Sequence, residues 1–174
     1  MSEQFEIRPL HIDELHVIRK LSDEIWKKVY PSIISMEQIE YMLNLIYNED
    51  ALKEQINVKG HAFIILTDHQ IPIGYASFSR KDPSNQEAFR LHKFYLQPSY
   101  HGKGLGKQLM NEIIRQVIQS GGKSIELNVN KYNPTVNFYK KIGFSTVSEE
   151  VLDIGNGYVM DDYIMELNPL KYPI

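Results

Sequence analysis

Apolar residues recur at two different spacings along this 174-residue chain, and the changes between them mark out its elements. Phe5 to Leu10 reads as a short first strand closed by Pro9. Asp13 then opens a helix whose apolar positions Leu15, Ile18, Leu21, Ile25 and Val29 share one stripe, until Pro31 interrupts it. Ser35-Met36-Glu37-Gln38 matches the capping-box pattern and starts a second helix with Ile39, Met42, Leu43 and Ile46 inward. A shorter helical piece covers Ala51 to Ile56. From Gly60 the period changes. His61 to Thr67 is a strand, Asp68-His69-Gln70 a turn, and Ile71 to Ser79 its hairpin partner. A polar, proline-containing loop from Lys81 to Glu87 leads into a further strand, Ala88 to Leu96.

After a glycine-spaced turn the helical period returns. Leu105, Leu109, Met110, Ile113, Ile114, Val117 and Ile118 form one broad stripe, with Lys107, Gln108, Asn111, Glu112, Arg115 and Gln116 opposite. Such a helix covers a sheet face. Gly121-Gly122 ends it, and Ser124 to Val129 is the next strand, parallel to Ala88–Leu96 because a helix separates the two. Asn133-Pro134 starts a short helix that buries Phe138 and Ile142 and closes at Gly143. Phe144 to Ile154 and Tyr158 to Leu167 flank Gly155-Asn156-Gly157, a strong hairpin signal. The order β-α-α-β-β-β-α-β-α-β-β predicts a mixed α/β fold, one domain over residues 1–174 with a parallel pair at its centre.

Composition narrows the function classes. Hydrophobic residues make up 43% and charged residues 24%, which is ordinary for a soluble globular chain. A formal charge of -3 argues against a nucleic-acid binder, which would carry a basic stripe. The absence of cysteine removes disulfides, thiolate metal sites and an enzyme-thiol intermediate. The histidines lack metal-ligand spacing, so no metal is expected. No apolar run approaches the ~20 residues that span a bilayer, and no signal-peptide pattern opens the chain; a cytoplasmic location and no membrane partner are expected.

The most informative stretch is Gln97-Pro98-Ser99-Tyr100-His101-Gly102-Lys103-Gly104-Leu105-Gly106-Lys107. Three alternate glycines strip Cβ atoms from the backbone where an amphipathic helix begins. A helix start leaves N–H groups without intrahelical partners and carries the positive end of the dipole. The turn therefore suits a phosphate or pyrophosphate, with Lys103 and Lys107 adding charge. A flexible strand-to-helix loop explains the same glycines. Trp26, Tyr30, Tyr41 and Tyr47 enrich the N-terminal helices in aromatic residues, as core or as the lining of a ligand cleft.

In this order, two motifs resemble the GNAT superfamily of acetyl-CoA-dependent N-acetyltransferases. The first is His101-Gly102-Lys103-Gly104-Leu105-Gly106, similar to the family's Gln/Arg-x-x-Gly-x-Gly/Ala after a strand. The second runs Asn133-Pro134-Thr135-Val136-Asn137-Phe138-Tyr139-Lys140-Lys141-Ile142-Gly143-Phe144, similar to the family's Asn-led helix with an aromatic-Tyr pair and Gly-Phe. The likeness covers essentially the whole chain, its specificity sits in residues 88 to 144, and it leans toward bacterial polyamine and amine acetyltransferases. It implies a mostly antiparallel sheet with a splayed central parallel pair, near Phe94 and Asn128, and helices on both faces. It also implies acetyl-CoA as acetyl donor, a small-molecule or peptide amine as acceptor, and allows a homodimer.

The resemblance gives the pyrophosphate to the backbone of His101, Gly102, Lys103, Gly104, Leu105, Gly106 and Lys107. It gives the acetyl and pantetheine groups to the backbone of Phe94, Tyr95 and Leu96. His101 stands where the family usually has Gln or Arg. The spacing from Asn133 to Tyr139 is one residue shorter than in many members, so Asn130 and Asn133 are both candidates for contacting the coenzyme. Tyr139 is the expected general acid toward the departing sulfur, a phenol being protonated at neutral pH, although a core tyrosine would also fit there. His92, or a chain of waters, would take the amine proton. Glu149, Glu150, Asp161 and Asp162 cluster on the last hairpin, either to hold a cationic acceptor or as a solvated face. Competing readings are a non-catalytic acyl-CoA-binding sensor on the same fold and a nucleotide-binding α/β domain.

Overall fold

The computed structural model describes residues 4–173. Strand β1 (Phe5–Pro9) is followed by a 3-10 turn (Ile12–Glu14) and helices α1 (Leu15–Val29), α2 (Met36–Ile46) and α3 (Glu49–Asn57). Strands β2 (Ala62–Asp68), β3 (Ile71–Asp82) and β4 (Asn85–Leu96) come next, then a 3-10 turn (Pro98–Tyr100) and α4 (Leu105–Gln119). The chain continues through β5 (Ser124–Asn130), α5 (Thr135–Ile142), β6 (Ser145–Gly155) and β7 (Tyr158–Leu167). The sheet has seven strands in the order β1-β2-β3-β4-β5-β7-β6, mostly antiparallel, with β4 and β5 as the parallel pair.

Several boundaries differ from the sequence expectation, each for a local reason. Residues 12–14 form a 3-10 turn ahead of α1 because Glu14 accepts from the His11 backbone N–H (3.0 Å) and is gripped by Arg8 (2.7 and 2.8 Å). α3 starts earlier because the Asn48 side chain caps it, accepting from Ala51 N–H at 2.9 Å. The loop expected over Lys81–Glu87 shrinks to Pro83-Ser84, because Asp82 Oδ1 accepts from both Ser84 N–H (2.8 Å) and Ser84 Oγ (2.7 Å). In α5 the buried residues are Val136 and Tyr139, while Phe138 and Ile142 are half-buried. That helix begins one residue later than expected, after Pro134, and the face that it buries is the i, i+3 pair Val136 and Tyr139.

The chain divides into two compact units: Met1–Ser79 with Lys93–Glu112, and Arg80–His92 with Ile113–Ile174. In the first, β2 pairs antiparallel with β1 and β3. Its core joins Ile18, Leu21 and Ile25 of α1, Ile39 and Leu43 of α2 and Leu52 of α3. Phe63 to Leu66 of β2 is buried without alternation, which is why that strand reads as one apolar run. Burying each such side chain contributes about 1.5–3 kcal/mol before entropy.

In the second unit, the parallel ladder runs from Ala88↔Ser124 to Leu91↔Leu127. Beyond Leu127, β5 stays paired with β7 through Asn128↔Ile164 to Asn130↔Asp162. β7 pairs antiparallel with β6, and Asn156 (φ 55°) and Gly157 (φ 78°) supply the two left-handed residues of a hairpin turn. Gly122 is indispensable here: a Cβ would lie 2.3 Å from Val117 Cγ1 and 2.8 Å from the Phe89 ring.

Candidate active site

The glycine-spaced turn belongs to the first unit and is held at both ends. Tyr100 Oη donates to Asp68 Oδ2 (2.8 Å), and His101 Nε2 donates to the Leu96 carbonyl (3.0 Å). His101, at the position where the family usually has Gln or Arg, thus spends its side chain on the end of β4. Between these anchors Gly102 (φ 76°) and Gly104 (φ 78°) adopt left-handed conformations that side chains disfavour. A Cβ on either would meet no protein atom within 4 Å. Their backbone therefore faces open space, and the fold does not need that space for packing.

The helix bond Gln108 N–H to Gly104 carbonyl (3.1 Å) leaves the N–H groups of Leu105, Gly106 and Lys107 ahead of the α4 ladder. Leu105 is buried and Gly106 half-buried, whereas Lys107 is exposed. Lys103 is exposed as well, its Nζ 4.9 Å from the Tyr100 ring centre. Donors at a helix start, two lysines and a bare backbone make an anion cradle.

Immediately upstream, β4 changes phase. Phe89, Leu91 and Lys93 are buried in alternation, but Phe94 and Tyr95 are both half-buried and Leu96 is buried again. The strand period slips by one residue at the stretch expected to face the acetyl group, as at a bulge. β3 comes close here: a Cβ on Gly74 would lie 2.7 Å from the Tyr95 carbonyl oxygen, and Gln97 N–H donates to the Ile73 carbonyl (2.8 Å). Gly74 gave no signal in the sequence, since a glycine inside a strand names no partner.

Three of the four aromatic residues in the N-terminal helical region are core, and Tyr41 is half-buried. Trp26, Tyr30 and Tyr47 are 4%, 7% and 1% exposed. The Tyr47 hydroxyl ends a chain in which Ser22 Oγ donates to the Ile18 carbonyl (2.6 Å) and lies 2.6 Å from Tyr75 Oη. Tyr75 Oη donates to Tyr47 (3.1 Å), and the Tyr30 and Tyr95 hydroxyls are 3.4 Å apart. Burial holds the Tyr47 and Tyr75 phenols well above their ordinary pKa, so both are protonated donors.

Lys93 is a residue that sequence reading missed. It is buried, and its Nζ donates to Gln55 Oε1 at 2.6 Å, with the Tyr47 and Phe63 rings 5.5 and 5.6 Å away. Gln55 is itself fixed by donating to the Ile46 carbonyl (2.9 Å). Burial pushes the Lys93 ammonium down to about 8, with the Lys59 charge adding to the shift. Nearby His61 is kept neutral, taken down to about 4 by burial and by the charges of Lys93 and Lys59.

His92, Asn130, Asn133 and Tyr139 belong to the second unit. His92 is half-buried on β4, two residues after Arg90 and so on the same face. Asn130 Oδ1 accepts from Tyr132 N–H and Asn133 Oδ1 from Thr135 N–H, both at 2.9 Å. Each asparagine thus shapes the turn into α5. Tyr139 is 6% exposed, its ring 5.6 Å from Phe138 and from Phe144. The Phe144 contact has a local origin: Gly143 (φ 118°) ends α5, Phe144 N–H donates to the Tyr139 carbonyl (3.0 Å) and Gly143 N–H to Lys140 (3.1 Å). This is the Schellman ending, whose apolar contact joins the same two positions.

Of the carboxylates on the last hairpin, the clustered four, Glu149, Glu150, Asp161 and Asp162, separate onto two faces. Glu149 and Asp161 share Lys131, whose Nζ lies 2.6 and 2.8 Å from them. Glu150 and Asp162 are direct cross-strand partners, beside Asn130 on β5. Arg90 and Asn128 hold this second face in order. Arg90 donates to Asn128 Oδ1 (2.7 Å) and Glu126 Oε1 (3.0 Å), while Lys81 donates to Glu126 Oε2 (2.6 Å). Asn128 Nδ2 donates to Glu150 Oε2 (2.9 Å). Asp162 is 6% exposed, and its Oδ1 has no hydrogen-bond partner among the described residues. Burial raises the Asp162 pKa; the Asn128 hydrogen bond opposes this, the charges of Glu150 and Asp161 add to it, and the charge of Arg90 opposes it.

Comparison with known proteins bears on both motifs. A family model described as an acetyltransferase (GNAT) domain matches residues 32–167. A spermidine N(1)-acetyltransferase of Thermoplasma acidophilum is 28% identical over 162 residues, covering 90% of this chain and 95% of that protein. An uncharacterised N-acetyltransferase of Mycobacterium tuberculosis is 33% identical over 94 residues, 53% of this chain, which spans 58% of that relative's length. Among solved structures, the PaiA N-acetyltransferase of Thermoplasma acidophilum in complex with coenzyme A superposes with a TM-score of 0.78 at 27% identity. That alignment covers 95% of this chain and 99% of the other.

Proposed function

Since the chain belongs to the GNAT acetyltransferase family, we propose that it is an N-acetyltransferase that moves the acetyl group of acetyl-CoA directly to a primary amine of a small molecule. The observation that carries this reading is the bare turn from Gly102 to Lys107, whose left-handed glycines face open space at the start of α4. We read residues 1–174 as one acetyltransferase domain. In support, the family match at 32–167 runs through both compact units, and β4 and α4 each pass from one unit into the other.

The coenzyme pyrophosphate lies on the backbone from His101 to Lys107, and Phe94, Tyr95 and Leu96 offer backbone groups to the acetyl and pantetheine portion. The amine must be neutral before attack, because an alkylammonium of pKa ~10.4 is almost fully protonated at neutral pH. His92 or a water takes that proton. The amine nitrogen bonds to the thioester carbon, the carbon–sulfur bond breaks, and Tyr139 gives a proton to the leaving sulfur. Backbone donors of β4 stabilise the oxyanion between these events. Asn130 or Asn133 contacts the coenzyme through its side-chain amide. The name of the spermidine acetyltransferase relative supports a polyamine acceptor.

The test is thiol release from acetyl-CoA against a panel of polyamines, amino acids, aminoglycosides and peptides. Release with an amine from the panel is the expected result. Tight acetyl-CoA binding with no thiol released by any amine would replace this reading with a non-catalytic acyl-CoA sensor.

A further inference from the structure

The clustered carboxylates of the last hairpin, Glu149 with Asp161 and Glu150 with Asp162, lie two to a face and meet very different partners. On one face Lys131 lies 2.6 Å from Glu149 and 2.8 Å from Asp161, so two anions share a cation. On the other, Glu150 and Asp162 stand directly opposite each other across β6 and β7. The donor that reaches this pair is an amide: Asn128 Nδ2 donates to Glu150 Oε2 at 2.9 Å. The cations nearest in the network are committed elsewhere. Arg90 is spent on Glu126 (3.0 Å) and Asn128 Oδ1 (2.7 Å), and Lys81 on Glu126 (2.6 Å).

Like charges placed directly opposite on a sheet destabilise it, and a buried carboxylate oxygen without a donor costs more still. Asp162 has both features: it is 6% exposed, its Oδ1 has no hydrogen-bond partner among the described residues, and Glu150 is its cross-strand neighbour. Asp162 on a solvated hairpin face would be expected to point into water. It is instead held under the surface beside an ordered scaffold, Arg90 to Asn128 to Glu150, whose cation bonds Glu126 and Asn128 and reaches Asp162 only through its longer-range charge. What the pair lacks is a compact cation with several N–H donors. An alkylammonium has three, enough to reach both carboxylates at once. The half-buried Glu150 is the point of entry, with a small shift of the side chains that cover Asp162 Oδ1.

We propose that Glu150 and Asp162, ordered by Asn128, bind the non-reacting ammonium of a di- or polycationic alkylamine acceptor. This rests on the N-acetyltransferase reading and adds the part of the acceptor that the chain selects. A monoamine acceptor has nothing to place there, so the site sets a preference for diamines and polyamines over monoamines of similar length.

Spermidine and butylamine are the probes, in calorimetry on the coenzyme-bound protein and in acetylation kinetics. Neutralising either carboxylate, Asp162→Asn or Glu150→Gln, is expected to weaken spermidine binding about ten- to a hundredfold, the scale of one lost charge-assisted hydrogen bond. The kinetic counterpart is a rise in the spermidine KM that collapses the preference over butylamine. Lys131→Met, on the opposite face, serves as the electrostatic control and should leave that preference in place. A melting curve for each variant, and the agreement of two independent variants, separates lost binding from lost folding. The proposal is overturned if folded Asp162→Asn and Glu150→Gln both keep wild-type spermidine affinity, as they would if Asp162 were a protonated structural group. It is overturned equally if Mg2+ or Ca2+, rather than spermidine, shows the Asp162-dependent heat. Calorimetry reports on this site without turnover, so a protein that bound spermidine through Asp162 yet released no thiol would overturn the catalytic reading alone.

Discussion

Two turns carry the motifs of this chain, and they differ in whether the fold explains them. In the Asn133–Phe144 stretch nearly every signature residue has a folding role. Asn133 accepts from Thr135 N–H, Gly143 supplies the left-handed helix ending, and Tyr139 packs its ring on Phe144 as that ending requires. In the Gln97–Lys107 stretch the anchors Tyr100 and His101 are similarly explained. The segment between them is not. Gly102 and Gly104 accept strained φ values while a Cβ on either would touch nothing, so packing does not demand that shape. Bare backbone at a helix start is what the proposed coenzyme site needs, whereas Tyr139 must be tested apart from its packing.

The largest effect expected from this contrast is on the first turn. Gly104→Val should cut acetyl-CoA affinity by roughly a hundredfold or more, two backbone bonds to phosphate being lost at about 1.5–3 kcal/mol each. The protein should stay folded, since the added side chain meets open space. Calorimetry with unchanged affinity in a folded variant would return the turn to a plain loop.

Next in size is Lys93, a charge buried by the fold with an amide for a partner. Its pKa, pushed down to about 8 against ~10.4 in the unfolded chain, makes the unfolded state bind more protons between those values. Stability should therefore rise with pH across that window, by up to about 3 kcal/mol, and level off at its lower value below pH 8, where both states hold the proton. Chemical denaturation at pH 7 and 9.5 should show this slope in the wild type and not in Lys93→Met. Equal slopes would mean the ammonium is better solvated than its burial implies.

Tyr139→Phe sharpens the comparison from the other side. Ring packing on Phe144 survives, so the melting temperature should hold, while kcat should fall by about a hundredfold, the low end for a general acid. A low-end loss is expected because a thiol of pKa ~8.5 is a tolerable leaving group. The coenzyme Kd should move little. Full turnover with chemistry rate-limiting would make this tyrosine core and nothing more. The smallest effect contrasts the two glycines directly. Gly143→Ala, at φ 118°, should cost about 2 kcal/mol, and Gly104→Ala, at φ 78°, about 1 kcal/mol. Denaturation midpoints in the reverse order would remove the distinction drawn between the turns.

Much of the architecture was legible before any coordinates. The stripe of α4, the parallel β4–β5 pair, the Asn-Gly hairpin and both glycine helix ends come from periodicity and turn chemistry, which act over three to five neighbouring residues. In α5, Phe138 and Ile142 are expected inward while Val136 and Tyr139 are buried, because a short helix with apolar residues on neighbouring faces leaves the choice of face to what it packs against. The hairpin carboxylates were visible as a cluster, but their division into a neutralised and an unneutralised face needed the β6–β7 register.

What the sequence determined by itself was the order of elements and the bare turn at the start of α4, since hydrophobic spacing, caps and glycines encode those within a few residues. Tertiary structure alone decided which charges are buried and what meets them. Lys93 finds Gln55 across 38 residues, Arg90 finds Asn128 across 38, and Asn128 finds Glu150 across 22. Whether a charge is solvated or sealed depends on such distant partners, because its energy is set by every group packed around it and not by its neighbours in the chain.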